Sequence, residues 1–333
     1  MFKAPPPPAE VLLGFLSKLQ RLLNEADFTA TYKLALIISL SDLAVELGSD
    51  DGSELILTTR QIGERFVDLY WKQALPYGAG RLGTAPGILT QNNGAQAAVV
   101  SAIANFRSTV GAVSIHQARA HPAYNAMLSQ VCQTVSAQPL KYLQNFGGST
   151  DPFLYERLGG GRVRLLPGVA YCFRRFHPFV QQLSRARWVE HIKSNRRNTS
   201  ILGEAGDLEE FLFSTSRQSL ALVGEGLKKL DGNSCFYCGQ ALATFDVDHF
   251  IPFVLYPRDL AQNFVLAHPG CNRSKSDMLA GRFHLERWLE RLLKRDDALQ
   301  DIGERAGVVA DAHTSHRIAE WGYKSAEASG GIA

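Results

Sequence analysis

Cys235 and Cys238 form a CxxC pair within SCFYCG, and His268 and Cys271 repeat the two-residue gap within HPGCN. A turn of that length points two ligand atoms at one ion. Aromatic residues between the first two cysteines and a glycine after them suit such a knuckle. Together the two knuckles offer three thiolates and an imidazole, a tetrahedral donor set that matches structural Zn2+. All four positions are filled, so the expected role is structural, with no position left for a water. Twenty-nine residues separate the halves, more than the commonest zinc-ribbon gap, and something must fold between them. The plain alternative, buried thiols beside a surface histidine, would not require matched spacing at both ends.

Inside that gap lies FDVDHFIPF. Asp248 and His249 are neighbours, so in a strand they point to opposite faces, while Asp246 and Asp248 share one. Asn263 follows in QNFVLAH and Asn272 follows the last cysteine in CNRSKSD. Carboxylate and amide oxygens are hard ligands suited to Mg2+ or Mn2+, with water completing the shell. A histidine beside them is the natural base for activating water.

The order CxxC, DH, N, HxxCN with a following lysine resembles the HNH endonucleases, whose site is a ββα-metal fold, and also the HNH domain of RNA-guided CRISPR nucleases. The likeness covers Ser234 to Leu279. It implies His249 as general base, Asp248 and Asn272 as ligands of one catalytic divalent ion, and Asn263 as the residue that holds the loop and orients His249. It implies DNA, most simply double-stranded DNA, as the substrate, and restriction or anti-phage defence as the setting. The chain departs from zinc-bearing members at His268, where cysteine is usual. Arg273 and Lys275, at the start of the helix that closes the motif, are expected to meet phosphates, their alternative being a solvated face. Two other readings stay open: a nuclease subunit active only within a larger complex, and a non-catalytic zinc-bearing DNA-binding module.

The elements that must carry these residues are mainly helical. Val11, Leu12, Phe15, Leu16, Leu19, Leu22 and Leu23 follow helical spacing, and a second helix is expected over Thr31 to Leu47, stopped by Gly48. Thr58 with Gln61 reads as a capping box, opening a segment that offers a helix-turn-helix-like reader or, more plainly, a packing helix. Helical patterns recur near 95–106, 122–137 and 170–194, with Pro178 a kink or break, and Arg162 to Leu166 alternates like a strand. Asp207 and Glu210 suit a helix N-terminus. In GRFHLERWLERLLKR, Phe283, Leu285, Trp288, Leu289, Leu292 and Leu293 are expected to line one side. The pattern weakens after Ala306, and Ser329 to Ala333 is expected to fray. The fold expected is a helical N-terminal domain, 1–210, for DNA binding, regulation or docking of a partner or second copy. A ββα-metal nuclease domain with a helical C-terminal extension follows over 211–333.

A chain of 333 residues with 45% hydrophobic and 20% charged residues has the composition of a globular protein and excludes a disordered or collagen-like one. No run of 18 apolar residues offers a membrane span. Clustered rather than spread cysteines point to a reducing, cytoplasmic setting, with Cys132 and Cys172 unassigned. The net charge of +3 is unevenly spread: residues 231–333 carry −3, whereas 162–197 carry nine basic residues and one acid. That stretch is expected to track phosphates through Arg174, Arg175, Arg185, Arg187, Arg196 and Arg197. Phe173, Phe176, Phe179 and Trp188 among them are expected to be buried rather than stacked on bases.

Overall fold

The computed structural model describes residues 4–78, 86–111, 113–203 and 208–330. In chain order the elements are α1 (Ala9–Glu25), α2 (Tyr32–Leu47), β1 (Leu55–Thr58), α3 (Thr59–Trp71), α4 (Ala98–Val110), α5 (Ile115–Ala120), α6 (Tyr124–Ala137), α7 (Pro139–Tyr142), β2 (Asn145–Phe146), β3 (Ser149–Thr150), β4 (Tyr155–Leu158) and β5 (Arg162–Leu165). They continue with α8 (Val169–Arg175), α9 (His177–Ser194), α10 (Thr199–Leu202), α11 (Leu208–Phe213), α12 (Arg217–Asp231), β6 (Asp246–His249), β7 (Phe264–Ala267), α13 (Pro269–Lys275), α14 (Arg282–Ala306) and α15 (Ala312–Ala328). The fold is mainly α. Two compact units divide it: Met1–Ala112 with His121–Leu212, and Val113–Ala120 with Phe213–Ala333. The inclusion of 113–120 in the second unit had no signature in the sequence; there His116 on α5 meets the backbone of Val308 and Ala310.

The first unit is organised on α2, whose residues from Leu34 to Glu46 are all buried. A helix buried on every side must find partners for its polar groups. Ser39 Oγ donates to the carbonyl of Ala35 at 2.7 Å. Asp42 Oδ1 accepts from Gln181 Nε2 at 2.7 Å and lies 2.9 Å from His177 Nε2 on α9. Glu46 pairs with Arg65 on α3. The expected capping box is present: Gln61 N–H donates to Thr58 Oγ1 at 3.2 Å, and Thr58 N–H to Gln61 Oε1 at 2.8 Å. No helix-turn-helix precedes it, because β1 stands between α2 and α3 and is paired to β5 in the antiparallel sheet β1-β5-β4. The break between α8 and α9 falls at Phe176, and Pro178 sits in the first turn of α9, where its missing N–H costs nothing. Of the Gly-rich break after Pro76, residues 79–85 lie outside the described residues. So do Asp207 and residues 331–333 of the expected frayed end, while Glu210 lies in the first turn of α11.

The basic stretch is corrected in several places. Arg174 is only 5% exposed. Its Nη1 donates to the carbonyl of Val45 at 2.7 Å, with those of Ala44 and Gly48 within 3.4 Å, and its Nε and Nη2 donate to Asp50 Oδ1. It therefore caps the C-terminus of α2, whose last carbonyls have no intrahelical donor, and does not face solvent. Arg185 is half-buried against Gln181, and Arg187 is tied to Glu190 and Asn24. Arg175, Arg196 and Arg197 are exposed. Phe173 and Trp188 are fully buried, as expected, whereas Phe179 is exposed.

In the second unit, α14 buries Trp288, Arg291, Leu292, Leu299, Ile302, Gly303 and Ala306. Phe283 and Leu293 are 72% and 88% exposed, so they leave the expected stripe. The sequence reading missed α15. Asp311 caps it by accepting from Thr314 N–H at 2.8 Å, but its buried side includes Thr314, Ser315, Ala319 and Gly322, a face too weakly apolar to register as a stripe. Arg174→Met is expected to lower the unfolding free energy by about 2–3 kcal/mol, since it strips a charged donor from buried carbonyls. Chemical denaturation showing a loss below about 0.5 kcal/mol, the range of a neutral surface change, would contradict that role.

Candidate metal centre and active site

The knuckle at 235–239 closes through backbone bonds from Cys235 N–H to Gln240 O at 2.8 Å and from Gly239 N–H to Cys235 O at 2.9 Å. Gly239 has φ +72°, a left-handed conformation that glycine adopts without a Cβ clash. The second knuckle begins where β7 ends: His268 precedes α13, and Pro269 occupies the first turn of that helix. The ligand atoms of Cys235, Cys238, His268 and Cys271 all lie within 4.8 Å of one another. Among the described residues no other such group of three or more His, Cys, Asp or Glu is found. His268 Nδ1 lies 3.3 Å from Cys238 Sγ, while its Nε2 lies 3.1 Å from the carbonyl of Ala241. A carbonyl fixes the hydrogen on Nε2 and leaves the Nδ1 lone pair facing the sulfurs, the usual arrangement of a ligating histidine. Burial opposes a thiolate at Cys235, yet the backbone N–H groups of Cys238, His268 and Tyr237 bring that thiol down to about 6. The donor set and its convergence fit a metal ion such as zinc. Cys132 and Cys172 belong to the first unit, and burial pushes the Cys172 thiol up to about 12.

Between the knuckles β6 pairs antiparallel with β7, Asp246 opposite Ala267 and His249 opposite Phe264, and α13 follows. β7 is buried throughout. Asn263 is fully buried and pins the turn after His249: its Oδ1 accepts from Ile251 N–H at 2.8 Å, and its Nδ2 donates to Ile251 O at 2.9 Å. Its carbonyl accepts from Phe250 N–H at 2.7 Å. It thus holds the two residues that follow His249 rather than the imidazole itself.

Asp248 is 8% exposed. Its Oδ2 accepts from the Tyr237 hydroxyl at 2.6 Å and lies 3.3 Å from Lys275 Nζ. Tyr237 is one of the two residues between Cys235 and Cys238, so the metal knuckle and the hairpin carboxylate are joined by a single side chain. Burial and the Asp248 charge push the Tyr237 phenol far above its usual range, keeping it a donor. Asn272 Nδ2 donates to Asp246 Oδ2 at 3.1 Å, so the amide oxygen is the atom that could ligate an ion.

His249 Nε2 lies 2.6 Å from Asp259 Oδ1, a partner the sequence reading missed because a lone acid in YPRDL has no motif. Asp259 Oδ2 accepts from Thr215 N–H at 2.9 Å. Asp248, His249, Asn272, Arg273 and Lys275 border one cleft of about 330 Å³, with Pro252, Phe253, Ser276 and Asp277 completing its lining.

Arg273 and Lys275 are corrected in position. They lie in the last turn of α13, not at its start, where positive charge complements the helix C-terminus. Arg273 is exposed at the cleft. The Lys275 side chain is 6% exposed and its Nζ donates to the carbonyl of His249 at 2.8 Å, so it belongs to the floor of the cleft and not to an outer phosphate-facing surface.

Cys235→Ser is expected to abolish bound zinc while Cys132→Ser retains it; elemental analysis showing equal zinc in both would refute the ligand set. A second expectation concerns acid. Burial works against the charge of Asp259, but His249 and Thr215 hold its carboxyl below its ordinary value of 3.8. Its stabilising contribution is therefore complete above about pH 4 and lost as pH falls through the folded-state value. Asp259→Asn should flatten the fall in stability between about pH 5 and pH 3 relative to the unsubstituted chain; parallel denaturation curves across that range would contradict it.

Residues 13–212, more than half of the chain, match the family described as a domain of unknown function (DUF8808). The matched span includes the helices gathered around α2 and ends before α12 and the metal centre. A search of the curated proteins finds no match. No described helix is long and apolar enough to cross a membrane. The chain belongs to the DUF8808 family.

Proposed function

We propose that this chain is a metal-dependent endonuclease of the HNH kind that hydrolyses DNA phosphodiester bonds. The observation that carries the reading is the gathering of Asp248, His249 and Asn272 on one cleft, on a ββα segment that shares its chain with a cluster of three cysteines and a histidine. His249 takes the proton of the attacking water. Asp248 and Asn272 supply hard oxygens for a divalent ion such as Mg2+ or Mn2+, and two protein ligands with water are a usual shell for such ions. When bound, that ion would neutralise charge on the scissile phosphate and favour departure of the leaving oxygen.

Tyr237 and Lys275 hold the Asp248 carboxylate in place, and Arg273, exposed at the cleft, offers a cation to a neighbouring phosphate. Zinc in the Cys235, Cys238, His268, Cys271 cluster has a structural role. Double-stranded DNA is the proposed substrate and the cytoplasm the proposed location. Restriction or anti-phage defence is the proposed setting. Arg175, Arg196 and Arg197 remain as exposed candidates for tracking the DNA backbone; Arg174 does not.

The test is cleavage of supercoiled plasmid by the zinc-loaded chain with Mg2+ or Mn2+. His249→Ala should reduce the rate by about 10²- to 10⁴-fold, the usual contribution of a general base, with zinc content unchanged and the fold retained. Equal rates for the two proteins would overturn the assignment. Intact plasmid with DNA binding retained would favour a non-catalytic zinc-bearing module.

A further inference from the structure

We propose that Asp259 is a positioning residue that fixes the tautomer of His249, holding the hydrogen on Nε2 and leaving Nδ1 as the nitrogen that faces the attacking water. The assignment of His249 as base rests on the nuclease reading; the tautomer does not.

The argument starts from the carboxylate. An ionised Asp only accepts hydrogen bonds, and at 2.6 Å from Asp259 Oδ1 the ring nitrogen Nε2 must be the donor. A neutral imidazole carries one hydrogen, so the donor role at Nε2 makes Nδ1 the acceptor.

Asp259 is itself held. Its other oxygen accepts from Thr215 N–H at 2.9 Å, next to Ser216, which caps the 15-residue helix α12. The positive end of that helix favours a carboxylate there. The chain just after Asp259 is anchored by Ala261 N–H to Val309 O at 2.8 Å. The imidazole is flanked by the rings of Phe253 and Phe264, with centroids at 5.2 and 4.8 Å and planes tilted by 50° and 51°, which limits its rotation. The side chain of Asp259 is 11% exposed and that of His249 is 21% exposed. The contact is thus shielded from water on the Asp259 side, while His249 borders the cleft. Such a carboxylate selects the productive ring orientation without touching substrate, the logic by which a buried acid serves the histidine of a hydrolytic triad.

The experiment uses the full zinc-loaded chain labelled with 15N-histidine. Two-bond 15N–1H correlation spectra report which ring nitrogen carries hydrogen, and His249 is assigned by the signals lost in His249→Gln. The expected result, at a pH where the ring is neutral, is an Nε2–H ring alone in the unsubstituted chain, with a minor Nδ1–H population appearing in Asp259→Ala. In the plasmid assay Asp259→Ala and Asp259→Asn should lower kcat by at least about tenfold with KM unchanged, as expected of a residue acting through the base. Asp259→Glu should recover part of that loss. Zinc content and thermal stability check that each variant is folded, and Asp259→Asn, being isosteric, serves if the alanine variant is not. An Nδ1–H ring in the unsubstituted chain, or an unchanged tautomer in both folded variants, overturns the proposal. Absence of cleavage by the unsubstituted chain would sink the nuclease reading, and the tautomer alone would then decide whether Asp259 fixes the ring.

Discussion

Three sulfurs and an imidazole nitrogen from two knuckles twenty-nine residues apart come within 4.8 Å of one another, and the local structure between them follows from that closure. The intervening chain must leave the first knuckle and return to the second, which a two-stranded antiparallel hairpin does over a short distance. Asp248 and His249 end its outgoing strand, and the return strand delivers His268, Cys271 and Asn272. His268 and Cys271 of the candidate metal cluster and the cleft residues are therefore positioned by the same hairpin. The Tyr237 hydroxyl on Asp248 makes the coupling direct, because a residue of the first knuckle bears on the cleft carboxylate.

Three buried cations are handled in the same way, by hydrogen bonds to backbone as well as to an opposite charge. Arg174 meets Asp50 and the last carbonyls of α2. Arg291 meets Asp231 through Nε and the carbonyl of Phe264 through Nη1. Lys275 meets Asp248 and the carbonyl of His249. Burying a cation is costly unless its donors are satisfied, and in each case carbonyls left over at a helix end or a strand supply the remaining acceptors. Local charge density along the chain is consequently a poor guide to where a nucleic acid would lie. The stretch 162–197 is strongly basic in sequence, yet its arginines are divided among a strand, two helices and the turn after them, and several are already engaged.

The fold was legible where local rules suffice. Gly48 does end α2, Thr58 and Gln61 do form a capping box, and Arg162–Leu165 is a strand, because capping, termination and alternation are set within a few residues. The stripe proposed for α14 mixed two faces: Phe283 and Leu293 are apolar in type but exposed, and Arg291 and Gly303 take buried positions. Helix α15 escaped because small and polar residues share its buried side with Ile318, Trp321 and Tyr323.

By itself the sequence determined the cluster of three cysteines and a histidine, the adjacency of Asp248 and His249, and the order in which Asn263 and Asn272 follow. Ligand types repeated at the spacing of a turn converge wherever that turn forms. Only the tertiary structure decided that Arg174 caps a helix 129 positions away in the chain, that Lys275 turns inward, and that Asp259 meets His249. The physical reason is that such contacts depend on which buried donors and acceptors remain unsatisfied once the elements have packed, and local residue spacing does not encode that.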